Sequence, residues 1–293
     1  HSMENLTSEI KMIAIDIDGT LLTPAGQITT RTRAAIQVAQ RAGIIVTLAT
    51  ARRYTTAGMI AAELGIKLPL IVYDGSLIAS YPAATILHRQ LLSAQVVCQA
   101  VEIFQQHAIQ PVIHPCDCPN EEVWLGPIEH DHLELATYVS QANERLCRMS
   151  YAALGTLLVD PLRVVAFASE EAIRRMLPQI VALDCAWHLL TLGSYGCAEL
   201  TLMNPGCSKA SGVAALAAHY AIPLAQVMAI GDNTNDVVML QSVGWGVAMG
   251  QAPEVVKAVA NAVTASNSED GVALAIERYA LASEVRIGNI SPD

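Results

Sequence analysis

The strongest constraint on this chain is an alternation of short apolar runs with stretches of helical spacing. The runs at 12–15, 44–49 and 70–73 are mostly apolar and do not alternate with polar residues, which marks buried strands. Between them, residues 30–42 have helical spacing and close on Gly43, and residues 57–64 do the same and stop at Gly65. Strand, helix, strand, helix, strand at these spacings predicts a parallel sheet with helices on its faces. The same style returns after Asn204-Pro205-Gly206, with helices at 211–220, 236–242 and 253–260 and strands at 227–230 and 247–249. In such a sheet, ligands gather beyond the carboxyl ends of the strands. The residues just after each strand therefore carry the chemical information.

The middle of the chain reads differently. An amphipathic helix spans 91–106, and Pro111, Pro115, Pro119 and Pro127 then break the chain into short pieces. A strand at 164–168 and a helix at 170–180 follow. The expected fold class is α/β: a doubly wound parallel-sheet, Rossmann-like core with an inserted α+β cap. The expected limits are 1–84 for the first part of the core, 85–203 for the cap and 204–293 for the second part of the core. No repeat period or low-complexity stretch is visible. Hydrophobic residues make up 53%, so the chain can bury a large core, and with only 4% aromatics that core is aliphatic.

Charge narrows the partners. The net charge is −10, with no basic block, which argues against nucleic acid and against anionic membrane as partners. No apolar run reaches the roughly 18 residues needed to span a bilayer. Seven scattered cysteines form no disulfide framework and suggest a reducing, cytoplasmic setting, in which the sequon at Asn5-Leu6-Thr7 stays unmodified. His1-Ser2-Met3 reads as a tag remnant before a start methionine.

The first strand delivers Asp16-Ile17-Asp18-Gly19-Thr20, two carboxylates two residues apart with a glycine for the tight turn. The strand at 227–230 delivers Gly231-Asp232-Asn233-Thr234-Asn235-Asp236. These two segments hold four of the eleven aspartates, and a parallel sheet puts both on one edge. Carboxylates gathered there repel unless a cation neutralises them, and all-oxygen ligands suit Mg2+. Thr50 ends the second strand and Arg52 follows it; Lys209, one of only four lysines, precedes a helix. A hydroxyl, a cation, the amide of Asn235 and a helix start are the usual partners of a phosphate. Together they point to phosphoryl transfer.

In order, Asp-x-Asp-Gly-Thr, a strand-terminal Thr, Lys and Gly-Asp-x-x-Asn-Asp resemble the haloacid dehalogenase superfamily. More narrowly, the chain is similar to the Cof-type phosphatases with a class IIB cap. The segments at 246–250 and 268–272 are also typical of that group. The resemblance implies Asp16 as nucleophile, forming an aspartyl-phosphate, and Asp18 as general acid and then base. It implies Mg2+ held by the carboxylates of Asp16 and Asp232 and the backbone carbonyl of Asp18, with Asp236 acting directly or through water. Thr50, Lys209 and Asn235 would hold the phosphate, with Arg52 and Gly75 beside the substrate. That substrate would be a small phosphorylated metabolite, by default a sugar phosphate. The chain departs from the pattern at Ala51, at Ala210, and at Asp74, where the family has Asn.

Other readings compete. The aspartates can serve as turn and cap residues, and Lys209 as a solvated lysine, though four motifs in order outweigh both. Of Arg52 and Arg53, at least one reads as a surface charge. Gly-x-Gly at 244–246 follows a helix and does not match a dinucleotide fingerprint. His114, Cys116, Asp117 and Cys118 suggest a soft-metal site, but a Cys-x-Cys without a second pair reads as a loop. His130 and His132 read as solvated; His114, Trp124 and Tyr195 are candidates to face the substrate. A phosphotransferase or mutase would use the same residues, and a non-catalytic phosphometabolite-binding protein would keep the fold without needing the nucleophile.

Overall fold

The computed structural model of the chain describes residues 9–281 except 143. His1-Ser2-Met3 and the sequon at Asn5-Leu6-Thr7 lie outside the described residues. Two compact units are present. One runs to Arg52, takes in Thr56–Leu87 and resumes at Ser208; the other comprises Arg53–Thr55 and His88–Cys207.

In chain order the first unit begins with β1 (Met12–Ile15), α1 (Thr30–Arg41) and β2 (Ile45–Leu48). Next come α2 (Tyr54–Glu63), β3 (Leu70–Val72), β4 (Leu77–Ala79) and β5 (Ile86–Arg89). The second unit contains α3 (Ala94–Gln106), β6 (Val112–His114), β7 (Glu122–Leu125), α4 (Leu133–Gln141) and β8 (Arg145–Arg148). It continues through α5 (Tyr151–Leu154), β9 (Arg163–Ala168), α6 (Glu170–Val181), β10 (Ala186–Leu190) and β11 (Ala198–Met203). The first unit then resumes with α7 (Lys209–His219), β12 (Val227–Gly231), α8 (Val237–Ser242) and β13 (Trp245–Ala248). It ends with α9 (Glu254–Lys257), β14 (Ala262–Val263) and α10 (Gly271–Ala275).

The core sheet has the order β14-β13-β12-β1-β2, all parallel. β1 sits inside it and is fully buried along its length, as its unbroken apolar run requires. Met12 and Ala14 join Val213, Leu216, Met239 and Leu240 in one aliphatic cluster; Ile13 and Ile15, on the alternate face, are equally buried. The register aligns Ile15 with Ile230 and Ile15 with Leu48. Asp16, Asp232 and the Thr50 loop thus emerge on one edge, where the connections from β1 run in opposite directions.

The third apolar run behaves differently from its expected place in a continuous parallel sheet. β3 touches β2 through one parallel bridge, Ala49 with Ile71, and is the first strand of an antiparallel sheet β3-β4-β5. That run also stops at Val72, because Tyr73 and Asp74 take left-handed backbone angles. The expected helix at 253–260 is a single turn, Glu254–Lys257, after which i→i+3 bonds turn the chain toward the edge strand β14. The helix expected from 211 starts at Lys209, with a reciprocal cap between Ser208 and Ser211. The amphipathic helix expected from 91 starts at Ala94, whose N–H is held by Asp160 at 2.7 Å.

In the second unit a mixed six-stranded sheet has the order β10-β11-β9-β6-β7-β8, antiparallel except for β7 with β8. Alternation along β9 splits its residues between two clusters. Val164, Ala166 and Ala168 pack with α3 and α6, while Val165 and Phe167 pack with Leu135 and Tyr138 of α4. Tyr195 stands edge-on to both Tyr138 and Phe167.

Candidate active site

The loop after β1 is built around Gly19. Its φ is +79°, and a Cβ there would lie 2.3 Å from Asp232 Oδ2. Only glycine therefore lets this backbone approach the second acidic segment. Thr20, the last residue of the first motif, donates to Asp232 Oδ1 at 2.9 Å and ties the two loops together. In the sequence, the place of Thr20 at the end of the motif is the signal that marks it.

Asp236 organises the second loop. Its Oδ2 accepts the backbone N–H groups of Asp232 and Asn233, both at 3.0 Å, and its Oδ1 accepts from Lys209 Nζ at 2.7 Å. Asn233 completes a reciprocal cap on the short turn Thr234–Asp236. Gly231 permits this wrap, since a Cβ there would meet Asp236 at 2.6 Å. Asp236 thus does serve the helix start, and in addition holds the lysine.

Lys209 is 2% exposed, far from the solvated state usual for a lysine. Its Nζ lies 2.7 Å from Asp16 Oδ1 and 2.7 Å from Asp236 Oδ1. Burial alone would lower its pKa, but the charges of Asp16, Asp236 and Asp74 outweigh that and raise it, so the ammonium is retained. The carboxylates feel the opposite pressure. Burial first, then the charge of Asp236, pushes Asp16 well above the ordinary range despite its ion pair with Lys209. Burial and Asp236 likewise push Asp232 up to about 6. One ammonium does not balance three carboxylates.

Asp16, Asp232 and Asp236 each offer an oxygen within 4.8 Å of the others, the one set of at least three such ligands among the described residues. A dense, largely buried, all-oxygen donor set with unrelieved repulsion fits a hard divalent cation. His114, Cys116, Asp117 and Cys118 form no such set.

Asp18 lies outside this cluster. Its carboxylate is paired through both oxygens with Arg52, at 2.8 Å each, and is half exposed. Thr50 is 1% exposed, and its Oγ1 accepts from the Arg52 N–H at 3.0 Å. Ala51 is not among the described non-glycine residues with positive φ, so the departure from glycine there costs no backbone strain. Asn235 Nδ2 donates to Asp74 Oδ1 at 3.3 Å. Gly75 has φ +95°, and a Cβ on it would sit 2.1 Å from the Ser208 carbonyl, so the turn after β3 is clamped on the start of α7.

Arg53 corrects the surface-charge reading of the arginine pair. Its side chain is 14% exposed and ion-paired with Glu121 and Glu144 in the second unit, at 3.4 and 2.6 Å. Neither arginine is a plain surface charge. His130 is exposed, but His132 is part-buried, accepts from the Gln110 N–H and pairs with Glu134, so it is not simply solvated. His114 is buried at 3% exposure on β6.

Comparison with known proteins places the chain in a family. The haloacid dehalogenase-like hydrolase family matches residues 13–276. The chain is 29% identical over 281 residues to the 5-amino-6-(5-phospho-D-ribitylamino)uracil phosphatase YitU of Bacillus subtilis, covering 92% of this chain and 97% of that one. It is 26% identical over 273 residues to the pyridoxal phosphate phosphatase YbhA of Escherichia coli, covering 90% and 96%. Among solved structures, the HAD subclass IIB sugar phosphatase BT4131 superposes with a TM-score of 0.76 at 22% identity, over 92% of this chain and 98% of that one. The chain belongs to the haloacid dehalogenase-like hydrolases, in the Cof-type group with a class IIB insert, and is a phosphatase acting on phosphate esters.

Proposed function

We propose that the chain is a Mg2+-dependent phosphatase that hydrolyses a small phosphorylated metabolite through an aspartyl-phosphate on Asp16. The observation that carries this reading is the trio of buried Asp16 and Asp236 and half-buried Asp232 beside the ammonium of Lys209. Mg2+ held by the carboxylates of Asp16 and Asp232 and the backbone carbonyl of Asp18, with Asp236 close by, would neutralise the cluster and draw charge from the phosphate oxygens.

The remaining work falls to the chain's own groups. Asp16 Oδ attacks phosphorus, forming the O–P bond as the ester bond breaks. Asp18 hands a proton to the departing alkoxide, and then takes one from the water that hydrolyses the intermediate. Its pair with Arg52 orients the carboxylate. The acid step requires that this pair open. Lys209, Thr50 and Asn235 bind the phosphate oxygens, with Arg52 and Gly75 beside the substrate. Choice of leaving group would fall to the inserted unit.

Two relatives aligned over most of their length are, by name, phosphatases of small phosphate monoesters, one of them a ribityl phosphate. This supports a sugar or polyol phosphate as substrate, in a cytoplasmic setting where such metabolites occur. A phosphate-release screen over phosphorylated metabolites, with Mg2+ or with EDTA, tests the reading. Release should require Mg2+ and disappear in Asp16→Asn. Turnover at the wild-type rate in Asp16→Asn would overturn the covalent route, and an isomerised ester in place of free phosphate would replace hydrolysis by mutase chemistry.

A further inference from the structure

The segments at 246–250 and 268–272 have no part in the route above. Their glycines bring the loops after β13 and β14 together. A Cβ on Gly250 would lie 2.9 Å from the Ala265 backbone, and one on Gly271 would lie 2.1 Å from the Ala265 carbonyl oxygen. The Gly250 N–H donates to the Ala265 carbonyl at 3.0 Å, and the Gly271 N–H to the Ser266 carbonyl at 3.1 Å. From this pair of loops two amide side chains reach the loop after β1. Gln251 Nε2 donates to the Gly19 carbonyl, and Asn267 Nδ2 to the Leu22 carbonyl at 2.8 Å. The two residues are also joined to each other, since the Asn267 N–H donates to Gln251 Oε1 at 3.1 Å. Asp270 Oδ1 accepts from Thr29 Oγ1 at 2.6 Å, which anchors the same segment at the start of α1.

This bracket holds one limb of the turn that carries Asp18. Asp18 (φ −77°, ψ 121°) and Gly19 (φ 79°, ψ −4°) have the angles of a type II turn. The entry limb is fixed by the sheet, where the Asp16 N–H donates to the Ile230 carbonyl at 3.0 Å. The exit limb starts at Gly19, the residue with the widest choice of backbone angles and so the softest link in the loop. The bond from Gln251 to the Gly19 carbonyl removes that freedom, and the bond from Asn267 fixes the chain three residues on. Asp18 stands at the corner between the two limbs, so the placement of its carboxylate and its carbonyl depends on both.

We propose that Gln251 and Asn267 are positioning residues for phosphoryl transfer. By holding the Gly19 and Leu22 carbonyls they fix the turn that presents Asp18, and so set the affinity for Mg2+ and the rate of turnover. Neither is among the groups assigned to phosphate, so affinity for the ester stays with Lys209, Thr50 and Asn235. This inference rests on the Mg2+ reading given above.

The test is calorimetric titration of Mg2+ into the full chain, comparing wild type with Gln251→Met and Asn267→Ala, together with hydrolysis of para-nitrophenyl phosphate at saturating Mg2+. Methionine keeps the length of glutamine and removes both of its hydrogen bonds. Mg2+ should bind about fivefold more weakly in each variant, the scale of one net hydrogen bond. kcat should fall while KM stays at the wild-type value. Gln251 is exposed and Asn267 half-buried, so denaturant midpoints in EDTA should match wild type. Wild-type Mg2+ affinity in either variant overturns the inference, and a lowered midpoint beside it would make the bracket a structural tie only. A raised KM with kcat unchanged would place the two residues at the substrate and likewise overturns it. Absence of Mg2+ binding in wild type overturns the cation reading itself, and the inference with it.

Discussion

Lys209 carries structural weight apart from its proposed part in holding phosphate. Its ammonium sits 2.7 Å from two carboxylates and is 2% exposed, so removing it strands negative charge in the interior. Breaking a buried ion pair by deleting one partner costs about 3–5 kcal/mol. A divalent cation at the same carboxylates supplies the missing positive charge. Lys209→Met should therefore be strongly destabilised in EDTA, and should recover more stability from Mg2+ than wild type does. Denaturant midpoints with and without Mg2+ measure this; a variant as stable as wild type in EDTA would show that Lys209 does not neutralise the cluster. Lys209 was legible in the sequence because lysine is rare in this chain and this one stands beside a helix start. Its partnership with Asp236 was not legible, because it depends on a turn that wraps Asp236 back under the Asp232 and Asn233 amides.

Individual elements carry the constraints that local sequence hides. The turn after β3 needs Gly75 twice over, for its φ of +95° and for the 2.1 Å approach of the Ser208 carbonyl to a would-be Cβ. Gly26 has φ +73° but nothing within 4 Å of a would-be Cβ. Gly26→Ala should cost about 1 kcal/mol, the strain of a left-handed alanine. Gly75→Ala should cost about 3 kcal/mol or more, because α7 must shift as well. Chemical denaturation of the two variants measures the difference; equal losses would mean that the turn is not clamped. The sequence shows only that both positions are glycine. The alternation of the core was legible because its parallel strands are short, mostly apolar runs such as Met12–Ile15. The strands β7, β8 and β10 were missed, because their partly exposed sequences, such as Arg145–Arg148, lack such a run.

β6 also sets an acid limit on the second unit. Burial first, then the charges of Arg163 and Arg53, lowers the His114 pKa well below 6.5. Arg163 is its cross-strand neighbour. The folded state thus keeps His114 neutral while the unfolded chain takes up a proton below about pH 6.5. The unfolded state then binds more protons, so the stability present above that pH is lost as pH falls, by up to about 1.4 kcal/mol per pH unit. A His114→Gln variant should lose less stability than wild type between pH 7 and 5. Trp124 and Trp187 report the unfolding of this unit by fluorescence in a Trp245→Phe background. Parallel pH profiles for the two proteins would remove His114 as the cause.

At the scale of the whole molecule, a net charge of −10 has to coexist with an anionic substrate. The structure resolves this by concentration rather than by a basic surface: three carboxylates are brought within 4.8 Å of one another and matched to one lysine. Their repulsion is a store of affinity for a cation, and it is confined to the first unit. Metal binding should therefore stabilise the chain unevenly. Because a ligand that binds only the folded site adds RT ln(1 + [L]/Kd), saturating Mg2+ at about 100 Kd contributes about 2.7 kcal/mol to the unit that contains it. Hydrogen exchange should slow on adding Mg2+ in the loop after β1 and in the Gly231–Asp236 segment, whose amides are ordered by Asp236. Exchange in the β9–β11 sheet of the second unit should change much less. In Asp232→Asn, which removes one ligand and part of the repulsion, the Mg2+-dependent protection should shrink across both loops together. Uniform protection of both units would mean that Mg2+ acts on the whole fold, and protection undiminished in Asp232→Asn would place the cation somewhere other than these carboxylates.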